Sequence, residues 1–332
     1  MNRFFLKILF LSLFAFVLIQ CGRTALVSPE DSLNDITSFS NVTITSSPHF
    51  SPRSNFQAVS KGSKIYIVAG RSGDNILSDI WTSVNGSSWD NLTISTSFPE
   101  RIYHQTLVHN NKIYIIGGAL SFGAAAGTNE IWISSDDGLN WDNVTTTNPF
   151  PPRIYHQSFV YNNKIYVLGG IGIDSSFLSD VWVSDNGSSW DNVTTSNPFS
   201  ARAYHQALVH NDKIYVLGGS DNTADALNDV WVSDNGSTWD NITTINPFSL
   251  RYGHQAISFN NKIYVIGGEL YDDSKFYNDV WVSDNGSTWD NVTLTNSFSP
   301  RRFHQSLVHS NKVYVIGGVD SDTYFDDVWV GQ

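Results

Sequence analysis

The sequence predicts an all-β protein, a six-bladed β-propeller of four-stranded antiparallel blades in which an N-terminal strand closes the last blade. Two observations predict it. One residue pattern recurs six times, its glycine-ended strand stopping at Gly70, Gly118, Gly170, Gly219, Gly268 and Gly318, at intervals of 48, 52, 49, 49 and 50 residues. A period of about fifty residues built from short strands is that of a propeller, not of a helical solenoid. Within each unit apolar and polar residues alternate, and no helical apolar period appears. The units run without a break to the last residue, so one propeller domain is read over residues 39–332, with 41% hydrophobic residues to fill its core.

Residues 1–21 stand outside the repeats. Arg3 and Lys7 precede an apolar run from Ile8 to Ile19, short for a membrane span and of signal-peptide length. The run ends in Leu18-Ile19-Gln20-Cys21-Gly22, and Cys21 is the only cysteine. The segment resembles the lipobox of bacterial lipoproteins, with Gln20 where a small residue is usual. That resemblance implies lipidation at Cys21 and a place in the bacterial cell envelope, at the outer membrane or cell surface, with lipid as the sole membrane contact. An ordinary export signal with an incidental cysteine is the other reading. Either way, disulfides within the chain and cysteine-bearing metal sites are excluded. Residues 22–38, with Ser, Pro, Asp and Asn, read as a polar tether. Removing residues 1–21 takes the formal charge from −12 to −14. Such a body repels phosphate backbones, so nucleic acid is not an expected partner.

The unit beginning at Arg202 shows the elements in order. A first strand from about Tyr204 to His210 meets a two-residue turn, Asn211-Asp212, of the type that tolerates positive φ. The second strand, Lys213 to Leu217, stops at Gly218-Gly219, where backbone passes close to a neighbour. A third strand, Asp229 to Ser233, surrounds Trp231; a tight turn at Asp234-Asn235-Gly236 leads to the fourth, Trp239 to Thr244. Two tryptophans per unit are expected between blades, each burying about 150–250 Å² and contributing at most about 4–6 kcal/mol.

Six units hold only eleven tryptophans. The last unit ends after Trp329 with no fourth strand, while Phe39-Ser40-Asn41-Val42-Thr43 matches Trp239-Asp240-Asn241-Ile242-Thr243 with Phe39 in place of Trp. The N-terminal strand should therefore complete blade six and remove the open edges. The repeated glycine pair, the spaced Trp and Arg-x-x-His resemble the kelch repeat over residues 39–332. Ser134 to Trp141 (SSDDGLNW) also resembles the Asp-box, a structural hairpin of sialidases; in four other units the first Ser is replaced, by Val232 for example. Neither likeness specifies an activity. Ten Asn-x-Ser/Thr triplets fall at fixed repeat positions and read as turn and strand chemistry.

Following the strands up and down puts the loops from second to third strand, and the links between units, on one face. The Asn-Asn-Lys turns and Asp-box-like hairpins lie on the other. The first face carries the variation, and diverged loops on a repeated scaffold are where a ligand is met. The strongest patch is on blades five and six: Tyr271, Asp272, Asp273, Lys275 and Phe276, then Asp320, Asp322, Tyr324 and Phe325. On the same face each unit carries an arginine, Arg53, Arg101, Arg153, Arg202, Arg251 or Arg301. Each third strand opens with an acid, Asp79, Glu130, Asp180, Asp229, Asp279 or Asp327. These twelve read as structural ion pairs. Arg71 and Arg302 break the pattern and are freer to meet a ligand. His104, His156, His205, His254 and His304, with Phe56 in the first unit, follow the arginines by three residues and read as structural, since a wide six-fold ring does not supply converging metal ligands.

No catalytic signature is complete in this sequence. The copper oxidases of the galactose-oxidase type resemble this fold but need a Tyr–Cys crosslink. A sialidase needs an arginine triad and a Tyr–Glu pair, and none of Glu30, Glu100, Glu130 and Glu269 lies in a matching context. Nothing marks a pair of aspartates for glycosidase work, and no nucleophile-elbow, zinc-protease or phosphate-loop motif occurs. No cofactor is expected. The reading is a monomeric, lipid-anchored propeller that recognises a protein or glycan. The alternatives are a sugar-processing enzyme (sialidase-, epimerase- or lyase-like) and a scaffold of an envelope complex. An enzyme should show one asymmetric polar pocket near the axis, a binder a broad aromatic-edged patch.

Overall fold

The structure, a computed structural model, describes residues 35–92, 98–144, 146–195, 198–223, 225–244, 247–270, 275–292 and 294–332. The signal segment, Cys21 and the tether to residue 34 lie outside the described residues, as do Tyr271, Asp272 and Asp273. A compact unit runs from Ile36 to Gln332. Residues 36–38, assigned to the tether by composition, belong to this unit: Ile36 is buried, and the Thr37 and Ser38 amides donate to the Gln332 carbonyl.

Six antiparallel sheets follow one another, as the repeats predict. In blade one, Gln57–Lys61 pairs with Lys64–Ser72, which pairs with Asn75–Ser83, which pairs with Asp90–Asn91. The first strands line the axis, and the fourth strands are the outer edges. In blade four the second strand is longer than its alternation suggests, Lys213–Ser220, because the chain continues through a bulge between Leu217 and Gly219. The fourth strand shrinks to Asp240–Asn241. Its neighbours are held by side chains instead: Thr243 Oγ1 accepts from the Val230 amide at 2.8 Å.

Blade six closes as the missing tryptophan foretells. Phe39–Asn41 pairs with Val328–Gly331 in register Phe39↔Gly331 and Asn41↔Trp329. In blades one to five a phenylalanine before the first strand meets the second tryptophan edge-on, as Phe248 meets Trp289 at 5.1 Å. Phe39 meets Phe298 at 5.2 Å and 85° in the same way.

Three layers of contacts join the blades. Near the axis, the second glycine of one blade donates its amide to the arginine carbonyl of the next, and Gly318 to Arg53 completes the circle at 2.8 Å. Between the sheets, aliphatic strands and aromatic rings form one core cluster after another. On the hairpin face, the last residue of a first strand reaches the next blade: His109 Nε2 lies 3.1 Å from the Asp185 carbonyl, and Tyr161 donates to Asp212 and Asp234. Among the described residues no helix is long and apolar enough to cross a membrane.

The hairpins correct one reading. Ser134 Oγ accepts from Gly138 N at 2.8 Å, and Ser233 Oγ accepts from Gly236 N at the same distance. Both serines sit at one register, opposite Ile113 and Ile214. The first Ser is therefore not lost to Val232: the turn is one residue shorter and Ser233 does its work. The hairpin asparagines Asn85, Asn186, Asn235 and Asn285 are turn acceptors, with Asn235 Oδ1 receiving the Ser237 and Thr238 amides.

Candidate functional site

Each of the six repeat arginines is fully buried and meets the acid of its own unit. Five are forked onto aspartate, Arg53 on Asp79, Arg153 on Asp180, Arg202 on Asp229, Arg251 on Asp279 and Arg301 on Asp327, with Nη–Oδ distances of 2.5–2.9 Å. Arg101 reaches Glu130 by one bond of 3.1 Å. In blade four Nη1 also donates to Gly218 O at 2.9 Å and Nε to Ser200 O at 3.0 Å, while Asp229 accepts from Trp231 Nε1 at 2.7 Å. A guanidinium with this many partners has nothing left for a ligand.

The five histidines explain the glycine pairs. A Cβ on Gly118 would stand 2.7 Å from the Cβ of His104, in its own blade; one on Gly117 would stand 2.9 Å from the ring of His156 in the next. The rings thus fill the seam between blades, and among the described residues none of their nitrogens has a hydrogen-bond partner. Burial and the nearby arginine hold them neutral, His156 and His304 at about 3, while carbonyls such as Ile116 and Ile266 oppose the shift weakly. Among the described residues no three His, Cys, Asp or Glu side chains are arranged to hold a metal.

A pH dependence follows. The unfolded chain takes up these protons near the ordinary value of 6.5, and the folded chain near 3. Stability is full above the unfolded value and falls as pH drops through that window, by about 1.4 kcal/mol per pH unit for each such histidine. Phe56 already occupies this position in blade one, with its ring against Gly317. His156→Phe with His304→Phe should therefore fold and flatten the acid limb of melting temperature against pH. A limb of unchanged slope would place the acid sensitivity in other groups.

One residue before each histidine the backbone turns left-handed: Asn55, Tyr103, Tyr155, Tyr204, Gly253 and Phe303 have φ of 52–61°. Bulky residues there cost about 1–3 kcal/mol each. The offset is a chain of amides running round the axis, in which Asn55 donates to Phe303, Phe303 to Gly253, Gly253 to Tyr204, Tyr204 to Tyr155 and Tyr155 to Tyr103. The geometry swings the side chains onto the axis. Tyr155 lies 4.0 Å from both Tyr103 and Tyr204, and Phe303 packs at 6.0–6.2 Å, leaning into the space that Gly253 leaves.

These rings plug the channel and floor a cavity of about 420 Å³ whose walls include Asn55, Arg71, Asp221, Asn222, Tyr252 and Arg302. A second cavity of about 400 Å³ shares Tyr103, Tyr155, Tyr204 and Phe177 and extends toward Ala124 and Ile171. Burial and the adjoining phenols push the Tyr155 hydroxyl well above its ordinary range. The site thus has both features weighed above, an aromatic floor and one polar side near the axis.

Arg302 is not free. Its Nη1 donates to the Tyr252 hydroxyl at 2.8 Å and pairs with Glu269, whose carboxylate accepts from Tyr252 at 2.8 Å. This is also a Tyr–Glu contact that the context of Glu269 conceals, because the partners lie on neighbouring strands of one blade. Burial, with Glu269, pushes the Tyr252 phenol up against the pull of Arg302, so it stays protonated as a donor. Arg71 is different. Its guanidinium carbon lies 4.9 Å from the Phe122 ring and 5.5 Å from the Tyr324 ring, and Nε donates to Gly73 O at 3.1 Å.

The remaining candidates divide. Phe325 stacks on Arg301 at 4.0 Å and Phe276 lies 5.7 Å from Arg302, so both support arginines. Asp320 receives the Asp322 and Thr323 amides and shapes its own turn. Lys275, over the Tyr277 ring, and Asp322 are exposed.

Blades two and three were overlooked. On their loops Leu120, Phe122 and Ile173 are 38%, 47% and 51% exposed. Also overlooked were the axial rings. A signal for them exists: between the invariant arginine and the near-invariant histidine, the position before the histidine reads Asn, Tyr, Tyr, Tyr, Gly and Phe.

Comparison with known proteins agrees with this architecture. The model of the KLHDC2/KLHL20/DRC7 kelch-repeats domain matches residues 29–170 and 161–331. Over 136 aligned positions, which cover 36% of the chain and 3% of the relative's length, the chain is 27% identical to the alpha chain of the flagellar outer-arm dynein of Chlamydomonas reinhardtii. With family matches that together span the six blades, and with glycine pairs, buried arginines and closing strand in place, this chain belongs to the kelch-repeat family.

Proposed function

We propose that this protein is a recognition propeller of the bacterial cell envelope, held by lipid at Cys21, that meets a protein partner with its variable-loop face. Kelch propellers are protein-interaction scaffolds, which supports the class of partner. The observation that carries the reading is the exposed apolar wall on blades two and three, where Phe122 and Ile173 stand about half exposed. A Cβ on Gly127 would touch Ile173 at 3.4 Å, so the two loops adjoin. Large apolar side chains gathered in this way mark docking surfaces. The envelope address rests on the apolar run and Cys21.

The test compares three full-length baits in envelope extracts: the native protein, Phe122→Asp with Ile173→Asp, and Val84→Asp on the hairpin face. Val84 is 56% exposed, so it controls for a new carboxylate at a comparably exposed apolar position. A partner kept by the native and Val84→Asp proteins and lost by the double variant is the expected result. Equal capture by all three would move the docking surface elsewhere.

A further inference from the structure

We infer that the axial cavity is a binding site for an acidic sugar, a pyranose ring bearing a carboxylate. Its volume of about 420 Å³ lies within the roughly 300–1,000 Å³ of small-molecule sites, which join an aromatic lining to a few placed polar groups. The site adjoins the apolar wall of blades two and three, since Phe122 of that wall lies against Arg71, but its test involves no protein partner.

The charges select an acid. The six repeat arginines each have a carboxylate, and Arg302 has Glu269. Among the described residues no carboxylate pairs with Arg71. It is held in place nonetheless, lying near the rings of Phe122 and Tyr324 from two other blades and tied at Nε to Gly73. A guanidinium fixed in this way, with its Nη edge uncommitted among the described residues, suits a planar carboxylate.

The remaining wall selects a polyhydroxylated ring over a plain acid. Asp221 Oδ1 accepts from the Thr223 amide at 2.9 Å and its hydroxyl at 2.5 Å, which orients the carboxylate and leaves Oδ2 for a ligand donor. Asn55 and Asn222 can donate and accept. The aromatic floor offers apolar surface to the C–H face of a sugar. A carboxylate without hydroxyls would not engage Asp221 Oδ2 or the remaining hydrogen-bonding capacity of the two asparagines, and a neutral sugar would give the Arg71 Nη edge no counter-charge.

Calorimetric titration of the full-length protein in detergent tests this, with galacturonate and glucuronate as probes and galactose, hexanoate and glutamate as comparators. The expected result is binding of at least one uronate, with galactose and hexanoate each weaker by about tenfold or more, the scale of a charge-assisted hydrogen bond. Arg71→Met should lose about tenfold for the uronate and leave galactose unchanged, whereas Asp221→Asn should weaken both sugars. Both side chains are partly exposed, and an unchanged melting temperature shows that the variants fold. The proposal is overturned if no uronate binds at millimolar concentration, if Arg71→Met binds it like the native protein, or if hexanoate or glutamate matches it. The last outcome would make the cavity a carboxylate site for peptides.

Discussion

Deletion of residues 39–45 should lower the melting temperature by more than about 10 °C. Phe39 is fully buried against Phe298, Asn296 Nδ2 donates to its carbonyl at 2.6 Å, and Val42 and Ile44 pack on the blade-one core. Losing one such aromatic costs about 3–5 kcal/mol, the strand's other apolar side chains and backbone pairings add to that loss, and each kcal/mol is worth about 2 °C in a chain of this size. The deletion also strips the Val42 and Thr45 amides from Val328 and Ser87, unfastening blade six from blade one. Val328–Gly331 then becomes an open edge, so concentration-dependent association should accompany the loss. Scanning calorimetry of the full chain without these residues checks it. An unchanged midpoint would show that the strand is not the closure.

The second large effect is expected from Asp229→Ala, a loss of about 3–5 kcal/mol. The change leaves Arg202, fully buried, with carbonyl partners but no counter-charge, and removes the acceptor of Trp231. Its companion, Arg202→Met with Asp229→Ala, should lose less despite two changes, because the uncompensated charge has gone along with its partner. Urea unfolding of both variants reads the difference. If the double variant were the less stable, the pair would be a net contributor to stability, beyond its penalty when broken. Six copies of this pair tie the segment entering each blade to the start of its third strand, which gives the layer a structural weight that no single surface ion pair has.

Much of this molecule was legible because its sequence is six variations on one unit. The glycine pair announced a close approach, and the structure shows what approaches: a histidine of the same blade and one of the next. Equivalence between units matched each arginine to its acid and Phe39 to a tryptophan, since residues at one repeat position share one environment. The extent of the strands was less legible. The fourth strand of blade four is two residues long where alternation suggested six, because Thr243 and Thr244 turn their hydroxyls to backbone partners instead of continuing the ladder.

The site was read less well, for a related reason. Arg302 interrupts the repeat pattern, and from sequence that marks a free cation; only the fold brings Glu269 and Tyr252, from the preceding blade, against it. Tyr324 and Phe122 are over two hundred residues apart in a chain of 332, yet both approach Arg71. Local period and composition, by themselves, determined the strands, the blade number and the closing partner, because hydrogen bonding along a blade depends on neighbours within one unit. The tertiary structure alone decided which of six unlike side chains converge on the axis and which charge is left over, because that depends on the ring setting distant units face to face.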